Sequence, residues 1–192
     1  MEMNSPLHKY INIFDDVLPD QILNGFLKYA KSLEFTPAKV VGESKQKVDE
    51  TVRKTLWYSM NDINCKSLTQ VHWRNFLLSF FMRYIFEYKK NFKIDENFNV
   101  IDIQILKYVN HGHYVFHVDD GYNTPRRLSM IFMLNDEYDG GDIVFKHPET
   151  NKETVIKKNK NRLIIWPSNF LYPHSVKKVT NGERYSVVAW AL

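Results

Sequence analysis

Apolar residues recur at helical spacing in the first half of the chain. Residues 18–33 place Pro19 and Asp20 at a plausible helix start, and apolar positions then return every three to four residues. Residues 67–92 predict a second, longer helix with a dense apolar face, which indicates buried core rather than a cofactor site. That face comprises Val71, Trp73, Phe76, Leu77, Phe80, Phe81, Tyr84 and Ile85.

After residue 98 the pattern changes to short apolar strands separated by turns. Seven such strands in under a hundred residues predict an antiparallel sandwich or barrel. Several are apolar on both faces, so one face can fill the barrel while the other packs on the helices. The strands are expected within residues 99–109, 126–134, 142–147, 153–158, 161–167, 173–179 and 185–192, with turns that include 110–112, 138–141 and 180–182.

The predicted fold class is mainly β with N-terminal helices, an α+β arrangement. We expect a double-stranded β-helix, which is a cupin-like jelly-roll barrel, supported by the helices. Residues 1–192 are predicted to be a single domain, with helical support and a substrate loop in 1–98 and the jelly-roll catalytic core in 99–192. A polar, lysine-rich stretch near residues 40–55 predicts a mobile loop, and residues 52–59 predict a strand.

Composition and charge narrow the classes of partner. The net charge of +4 permits a nucleic-acid partner without requiring one. No apolar run approaches the roughly 18 residues of a membrane span, and the N-terminus does not have the pattern of a signal peptide. The single cysteine, Cys65, cannot form an internal disulfide and is interpreted as an ordinary thiol. We therefore expect a cytoplasmic protein that does not enter a membrane.

Residues 117–119, "HVD", place an imidazole and a carboxylate on one face of an extended strand. Such a pair can chelate a metal but needs a third ligand. Four histidines are candidates for this third ligand. His111 and His113 lie in the turn just before the H-x-D pair, and His147 precedes a proline at a predicted hairpin tip. His174 begins a late strand that a barrel can bring beside the pair. Two histidines and one carboxylate would form the facial triad of non-haem Fe(II) oxygenases, which leaves metal positions open.

Arg184 and Ser186 share one face of the last predicted strand. A guanidinium can bind a carboxylate through two parallel hydrogen bonds, and a hydroxyl can add a third. If this face is the barrel interior, the pair predicts an anchor for a dicarboxylate co-substrate.

With these motifs in order, the sequence resembles the 2-oxoglutarate- and Fe(II)-dependent dioxygenases, and within them the prolyl 4-hydroxylase-like branch. The resemblance covers residues 100 to 190, from "IQILKYVNHGHYVFHVDDG" through Gly140 and Gly141 to "RLIIWPSNFLYPHSVKKVTNGERYSVVAW". H-x-D alone is a weak signal. H-x-D, the paired glycines, a late histidine and R-x-S in this order are together specific. The glycines also fit a turn with positive φ.

The resemblance assigns roles to individual residues. It implies that His117, Asp119 and His174 bind iron and that Arg184 binds the distal carboxylate of 2-oxoglutarate.

Other positions implied to bind or line the co-substrate pocket are Tyr108, Ser129, Ser186 and Met133, where Met133 departs from the tyrosine that close relatives often carry. Tyr114 and Trp190 match aromatic residues near iron and substrate. Asp120 is expected either to cap the turn or to contact substrate.

The implied activity is hydroxylation of a C–H bond, first of all in a prolyl residue of a peptide or protein, with 2-oxoglutarate and O₂ converted to succinate and CO₂. Ascorbate (vitamin C) is the expected activator. Three alternatives stay open from the sequence. The same chemistry could act on a free amino acid or on nucleic acid, or the barrel could be a metal-binding module without catalysis.

Overall fold

The computed structural model describes residues 8–41, 46–61, 67–122 and 124–192. The helices are α1 (Asp20–Lys31) and α2 (Leu68–Phe92), and one 3-10 turn spans His8–Tyr10. The first strands are β1 (Asn12–Phe14), β2 (Thr36–Pro37), β3 (Val40–Val41), β4 (Gln46–Lys47), β5 (Arg53–Lys54) and β6 (Leu56–Ser59). The later strands are β7 (Val100–Tyr108), β8 (His113–His117), β9 (Leu128–Met133), β10 (Tyr138–Gly140), β11 (Ile143–Lys146), β12 (Glu153–Ile156), β13 (Arg162–Pro167), β14 (His174–Val176), β15 (Val179–Gly182) and β16 (Arg184–Ala191).

The predicted class, mainly β with N-terminal helices, is confirmed, and each of the seven predicted strands of the second half is present. Cys65 and residues 42–45 of the predicted loop lie outside the described residues. In the part of the chain that is described, no helix is long and apolar enough to cross a membrane.

Two sheets form the barrel. The larger has the order β1-β13-β9-β16-β7-β6-β2, and the smaller has the order β12-β11-β14-β8-β5. The strand predicted over residues 52–59 is divided between them, because β5 joins the smaller sheet and β6 the larger one. Thr55, between these two strands, is buried, and its hydroxyl donates to the carbonyl oxygen of Lys107 at 3.1 Å.

The larger sheet is apolar on both faces, as predicted. Along β7, Ile103 and Ile105 belong to the core that includes the helices, whereas Leu106 and Tyr108 belong to the core inside the barrel. Alternation along each strand thus supplies two separate cores from one sheet. The helices support the sheet from outside, and the barrel interior remains available for a site.

The helix boundaries follow the sequence pattern. The N-cap of α1 is Pro19, and that of α2 is Ser67, whose hydroxyl accepts the Gln70 N–H. One expected core residue was wrong, because Val71 is 41% exposed. Gln70 takes the inward position instead and accepts a hydrogen bond from the Tyr58 hydroxyl at 2.6 Å.

Two predicted turns were wrong. Residues 138–141 and 180–182 were expected to be turns, but β10 and β15 pair there as a two-stranded sheet. The predicted positive φ is confirmed, with +72° at Gly140 and +67° at Gly141. The glycines produce an irregular pairing with a register shift at Gly140 rather than a reversal of the chain.

Candidate active site

A β-bulge in β8 turns the side chain of His117 into the barrel. His117 pairs with His174, and Tyr114 pairs with Val176, so three steps along β8 match two along β14. In a regular strand, residues three apart would point to opposite faces. Here Tyr114 and His117 both line the same cavity, and their rings stack with centroids 3.5 Å apart.

Three potential metal ligands converge beside this bulge. His117 ends β8, Asp119 follows two residues later, and His174 begins β14. The His117 Nε2 atom lies 3.6 Å from Asp119 Oδ1, and the His174 Nε2 atom lies 3.4 Å from Asp119 Oδ2. One ligand atom from each residue falls within 4.8 Å of the other two. Two imidazoles and one carboxylate in this arrangement can bind a divalent metal and leave coordination positions open.

The main chain determines which nitrogen of each imidazole faces this point. His117 Nδ1 lies 2.9 Å from the Val115 carbonyl oxygen, and His174 Nδ1 lies 3.1 Å from that of Tyr172. A carbonyl oxygen only accepts hydrogen bonds, so each Nδ1 carries the hydrogen and each Nε2 keeps its lone pair. Histidines that bind metals commonly have this arrangement.

The protonation states also suit metal binding. Burial, reinforced by the neighbouring His117, lowers the pKa of His174 to about 4. Burial alone would raise the pKa of Asp119, but the adjacent His174 and His117 and a hydrogen bond from Ser129 hold that pKa below its usual range. A neutral imidazole and an ionised carboxylate are the forms that coordinate a metal.

The structure places Ser129 beside a metal ligand. It is buried, and its hydroxyl donates to Asp119 Oδ2 at 2.7 Å. The two cross-strand neighbours of Ser129 are Trp166 and Trp190, both of which line the cavity. A small side chain between two indoles is covered by them, and the Ser129 hydroxyl contacts Asp119 and Ser168.

Four buried residues, Arg184, Ser186, Tyr108 and Tyr138, are called the anchor cluster here. Arg184 is fully buried and donates through Nη1 to the Ser186 hydroxyl at 3.1 Å, and its guanidinium lies 4.8 Å from the centre of the Tyr108 ring. Among the described residues, the Arg184 Nε and Nη2 atoms meet no acceptor in hydrogen-bonding geometry, and the Tyr138 hydroxyl lies beside the guanidinium without a well-formed hydrogen bond. Buried donors left unpaired are costly, and a carboxylate would satisfy them.

Gly141 allows the anchor cluster to close. A Cβ atom at this position would lie 3.0 Å from Arg184 Cδ and 2.8 Å from Tyr138 Cε2. The absence of a side chain therefore lets both residues pack against the backbone. Met133, also expected at the co-substrate, is fully buried and pairs with Ser186 across the sheet, and it does not line the cavity.

The cavity that contains the metal ligands has a volume of about 780 Å³ and extends past Tyr108, Tyr114, Trp190 and Asp120. Asp120 also caps the chain locally, because its Oδ1 accepts the Arg126 backbone N–H at 3.0 Å. Both roles considered for Asp120, in the turn and at the cavity, thus agree with its position.

Three charged residues that line the cavity, Arg53, Arg126 and Asp102, are called the mouth cluster here. Arg126 lies over the Trp190 ring at 3.7 Å, and Arg53 lies over the Tyr114 ring at 4.8 Å. Asp102 accepts hydrogen bonds from amides, and burial raises its pKa. These groups can bind the polar main chain or charged side chains of a substrate.

The other candidate histidines do not reach the metal ligands. His111 lies in a turn with φ +64°, and both ring nitrogens of His113, the first residue of β8, lie near carbonyl oxygens. His147 is buried elsewhere, beside His8, with ring centroids 6.2 Å apart. Of the four candidates for a third ligand, the structure brings only His174 to Asp119.

Comparison with known proteins agrees with this geometry. Residues 103–192 match the model of the 2OG-Fe(II) oxygenase superfamily. The match covers just under half of the chain, and this segment is similar to that superfamily. The matched segment contains the metal ligands and the anchor cluster, so the similarity falls on the barrel.

Among curated relatives, a PKHD-type hydroxylase of Prochlorococcus marinus (strain MIT 9515) is 35% identical over 92 residues. The alignment covers 46% of this chain and 40% of that hydroxylase. The chain thus matches well under half of that relative.

Solved structures show the same fold over nearly the whole chain. A prolyl-4-hydroxylase of Pseudomonas putida superimposes with a TM-score of 0.70 at 19% identity, covering 94% of this chain and 91% of that one. A prolyl hydroxylase of Trichoplax adhaerens, solved with a peptide fragment of the hypoxia inducible factor oxygen degradation domain, gives 0.71 at 15% identity and covers 95% and 83%. The double-stranded β-helix fold is confirmed.

The structure adds residues to the candidate active site that the sequence reasoning missed. Ser168 contacts Ser129, Tyr138 adjoins Arg184, and the mouth cluster lines the cavity. Tyr138 had a usable signal, because it lies two residues before the paired glycines Gly140 and Gly141. Ser168 and the mouth cluster had none, because only strand pairing brings them to the site.

Proposed function

We propose that the protein is an Fe(II)- and 2-oxoglutarate-dependent dioxygenase that hydroxylates a prolyl residue in a peptide or protein. Ascorbate is its proposed activator, and the single cysteine supports a cytoplasmic location. Residues 1–192 act as one domain in this proposal, because the helices pack on the sheet that forms the barrel.

One observation carries the proposal. Arg184 is fully buried, has two unpaired donor atoms, and lies in the same barrel interior as a triad able to hold a metal. A metal site by itself requires no buried guanidinium. A co-substrate that needs a metal at one carboxylate and a guanidinium at the other would account for both features, which favours an oxygenase over a metal-binding module without catalysis.

His117, Asp119 and His174 would hold the iron through Nε2, a carboxylate oxygen and Nε2. With 2-oxoglutarate, the iron supplies the oxidation in which one oxygen atom enters succinate, CO₂ is released, and the other atom hydroxylates the substrate. Arg184 would bind the distal carboxylate of 2-oxoglutarate, assisted by the hydroxyls of the other members of the anchor cluster, Ser186, Tyr108 and Tyr138. No side chain of the protein has to act as a general base.

The mouth cluster supports a peptide substrate. An aromatic wall of Tyr114 and Trp190 lies beside the metal ligands, with Arg53 and Arg126 over its rings. An apolar wall suits a pyrrolidine ring, and the charged groups above it suit a polar main chain. The relatives named above as prolyl hydroxylases share the fold in which this wall is built.

The test measures succinate formation from 2-oxoglutarate by the Fe(II)-loaded protein with O₂ and ascorbate, in the presence and absence of proline-containing peptides. We expect a peptide to stimulate turnover and to gain one oxygen atom by mass spectrometry. Turnover that no peptide raises would reject the prolyl assignment and direct the search to amino acids and nucleic acids. No turnover from iron-loaded protein would reject the oxygenase.

A further inference from the structure

Two buried serines form a hydrogen-bonded chain that ends on Asp119. The Ser129 hydroxyl lies 2.7 Å from Asp119 Oδ2 and 2.7 Å from the Ser168 hydroxyl. Both serines are 1% exposed. Water therefore does not compete for these hydrogen bonds, and each hydroxyl has to find its partner within the protein.

The direction of this chain follows from the acceptor at its end. An ionised carboxylate only accepts hydrogen bonds, so the single hydroxyl hydrogen of Ser129 points to Asp119. The Ser129 oxygen is then the acceptor for Ser168, which must donate. Polarisation along such a chain strengthens the final hydrogen bond to Asp119.

The main chain holds the far end of the relay. The Ser168 N–H donates to the Arg127 carbonyl oxygen at 3.0 Å, and the Ser168 carbonyl oxygen accepts the Asp120 N–H at 3.1 Å. Ser168 is thereby tied both to the residue after Asp119 and to the start of β9. These two backbone hydrogen bonds hold the Ser168 hydroxyl at a fixed position relative to the Asp119 carboxylate.

Asp119 differs in this respect from the two imidazoles. His117 and His174 are each oriented by a carbonyl oxygen two residues back in their own segment. Rotation of a carboxylate about its last torsion has broad minima, so Asp119 needs an external partner to fix its plane. The Ser129 hydroxyl is within hydrogen-bonding distance of the Asp119 carboxylate, whereas the Arg126 Nη1 atom lies farther away, at 3.7 Å from Asp119 Oδ1.

We propose that Ser129 and Ser168 form a positioning relay that fixes the Asp119 carboxylate for metal binding. This proposal rests on the proposed function, because it assumes that the triad binds Fe(II). Neither serine touches substrate or co-substrate in this role. The relay acts on the affinity for metal, so it can be measured without turnover.

The test is anaerobic calorimetric titration of the metal-free full-length protein with Fe(II). Loss of a group that orients a ligand typically weakens metal binding by about 10- to 100-fold. We expect a weakening of that size for Ser129→Ala, and a smaller one of about 3- to 10-fold for Ser168→Ala, which removes only the second link. Ser129→Cys, which keeps the volume with a weak donor, should resemble Ser129→Ala.

The double variant distinguishes a relay from two independent packing effects. If Ser168 acts through Ser129, adding Ser168→Ala to Ser129→Ala changes the Fe(II) dissociation constant no further. Effects that multiply would overturn the relay.

Ser175→Ala is the matched control. Ser175 is also buried, and its hydroxyl has no hydrogen-bond partner among the described residues. The Ser175→Ala variant should bind Fe(II) like the wild type. The metal-free variants of Ser129 and Ser168 should have unfolding temperatures close to that of Ser175→Ala. Tight Fe(II) binding by both Ser129 variants, beside a wild type that binds one equivalent, would overturn the relay alone. A wild type that binds no Fe(II) would overturn the relay and the proposed function together.

Discussion

The anchor cluster and the mouth cluster both contain buried or half-buried arginines, but they use them differently. Arg184 is fully buried and has two donor atoms without partners in the described part of the chain. Arg126 lies near two carboxylates, those of Asp119 and Asp102, and over the ring of Trp190. The Arg184 guanidinium therefore has donors without acceptors, whereas the charge of Arg126 is partly balanced by nearby carboxylates.

This difference indicates two kinds of recognition. A sealed guanidinium with fixed, unmatched donors selects one ligand geometry strongly, because the wrong ligand leaves those donors unpaired. A cation shared among carboxylates at the wall of an open cavity exchanges partners at low cost and contributes less to affinity. We therefore expect the co-substrate to be fixed by the anchor cluster and the substrate to be selected by the mouth cluster.

The largest expected effect comes from removing a metal ligand, because neither cluster can support turnover without the metal. His174→Ala should reduce turnover of 2-oxoglutarate by about 1,000-fold or more, because a facial triad that lacks one ligand loses its metal. Circular dichroism should show the fold retained. His113→Ala is the control, since His113 contacts carbonyl oxygens away from the triad. Full activity in His174→Ala would reject the site.

Arg184→Gln breaks the anchor cluster alone. Losing one partner of a buried charge pair costs about 2–5 kcal/mol, so the KM for 2-oxoglutarate should rise by about 100-fold. The Fe(II) dissociation constant should change less than about threefold, since the contacts of Arg184 are with residues other than the triad. Arg184→Lys should fall between Gln and wild type, because lysine keeps the charge without the forked geometry. Equal losses of iron and 2-oxoglutarate would contradict the anchor role.

Arg53→Gln sharpens the comparison from the other side. Arg53 lies over Tyr114 and has a buried Nε atom without a partner among the described residues. We expect the KM for a stimulating peptide to rise by about tenfold, the size of one charge-assisted hydrogen bond. The KM for 2-oxoglutarate should stay within about twofold of wild type. A shift in 2-oxoglutarate affinity with unchanged peptide KM would reverse the assignment of the two clusters.

The smallest expected effect concerns neither cluster. Burial lowers the pKa of His8 below the ordinary histidine value of 6.5, and the neighbouring His147 lowers it further by a smaller amount. The unfolded chain therefore binds a proton more readily, and the contribution of His8 to stability is present above pH 6.5 and is lost as the pH falls below it. Between pH 7.5 and 5.5 the midpoint of thermal unfolding should fall, and His8→Gln should reduce that fall by about 2 °C.

The control compares the turnover of His8→Gln with that of wild type. His8 is near Thr154 and His147, on the outside of the β11–β12 connection. Turnover of His8→Gln at pH 7.5 should equal that of wild type. An unchanged pH dependence of the unfolding midpoint would show that His8 contributes nothing to it.

Local patterns predicted what depends on local geometry. The helices, the seven strands and the two faces of the larger sheet followed from periodicity, and the short spacing of His117 to Asp119 and of Arg184 to Ser186 indicated shared faces. Val71 was wrong because helical spacing alone does not define which edge of an apolar face is covered.

What the sequence could not provide depends on pairing between distant segments. The sequence did not indicate that the neighbours of Ser129 across the sheet are tryptophans or that its hydroxyl contacts Asp119. Ser168 lies 39 residues from Ser129, and no spacing rule connects them. Arg53 comes to the site because β5 joins the edge of the smaller sheet.

The bulge in β8 makes the length of this strand part of the metal site. Three steps along β8 face two along β14 between Tyr114 and His117. Deleting one residue from this interval would restore regular pairing and improve the ladder of hydrogen bonds. It would also rotate either Tyr114 or the whole H-x-D segment to the outside of the barrel. A regular strand would therefore lose either the tyrosine stacked on His117 or two of the three metal ligands, so the extra residue serves the site rather than the sheet.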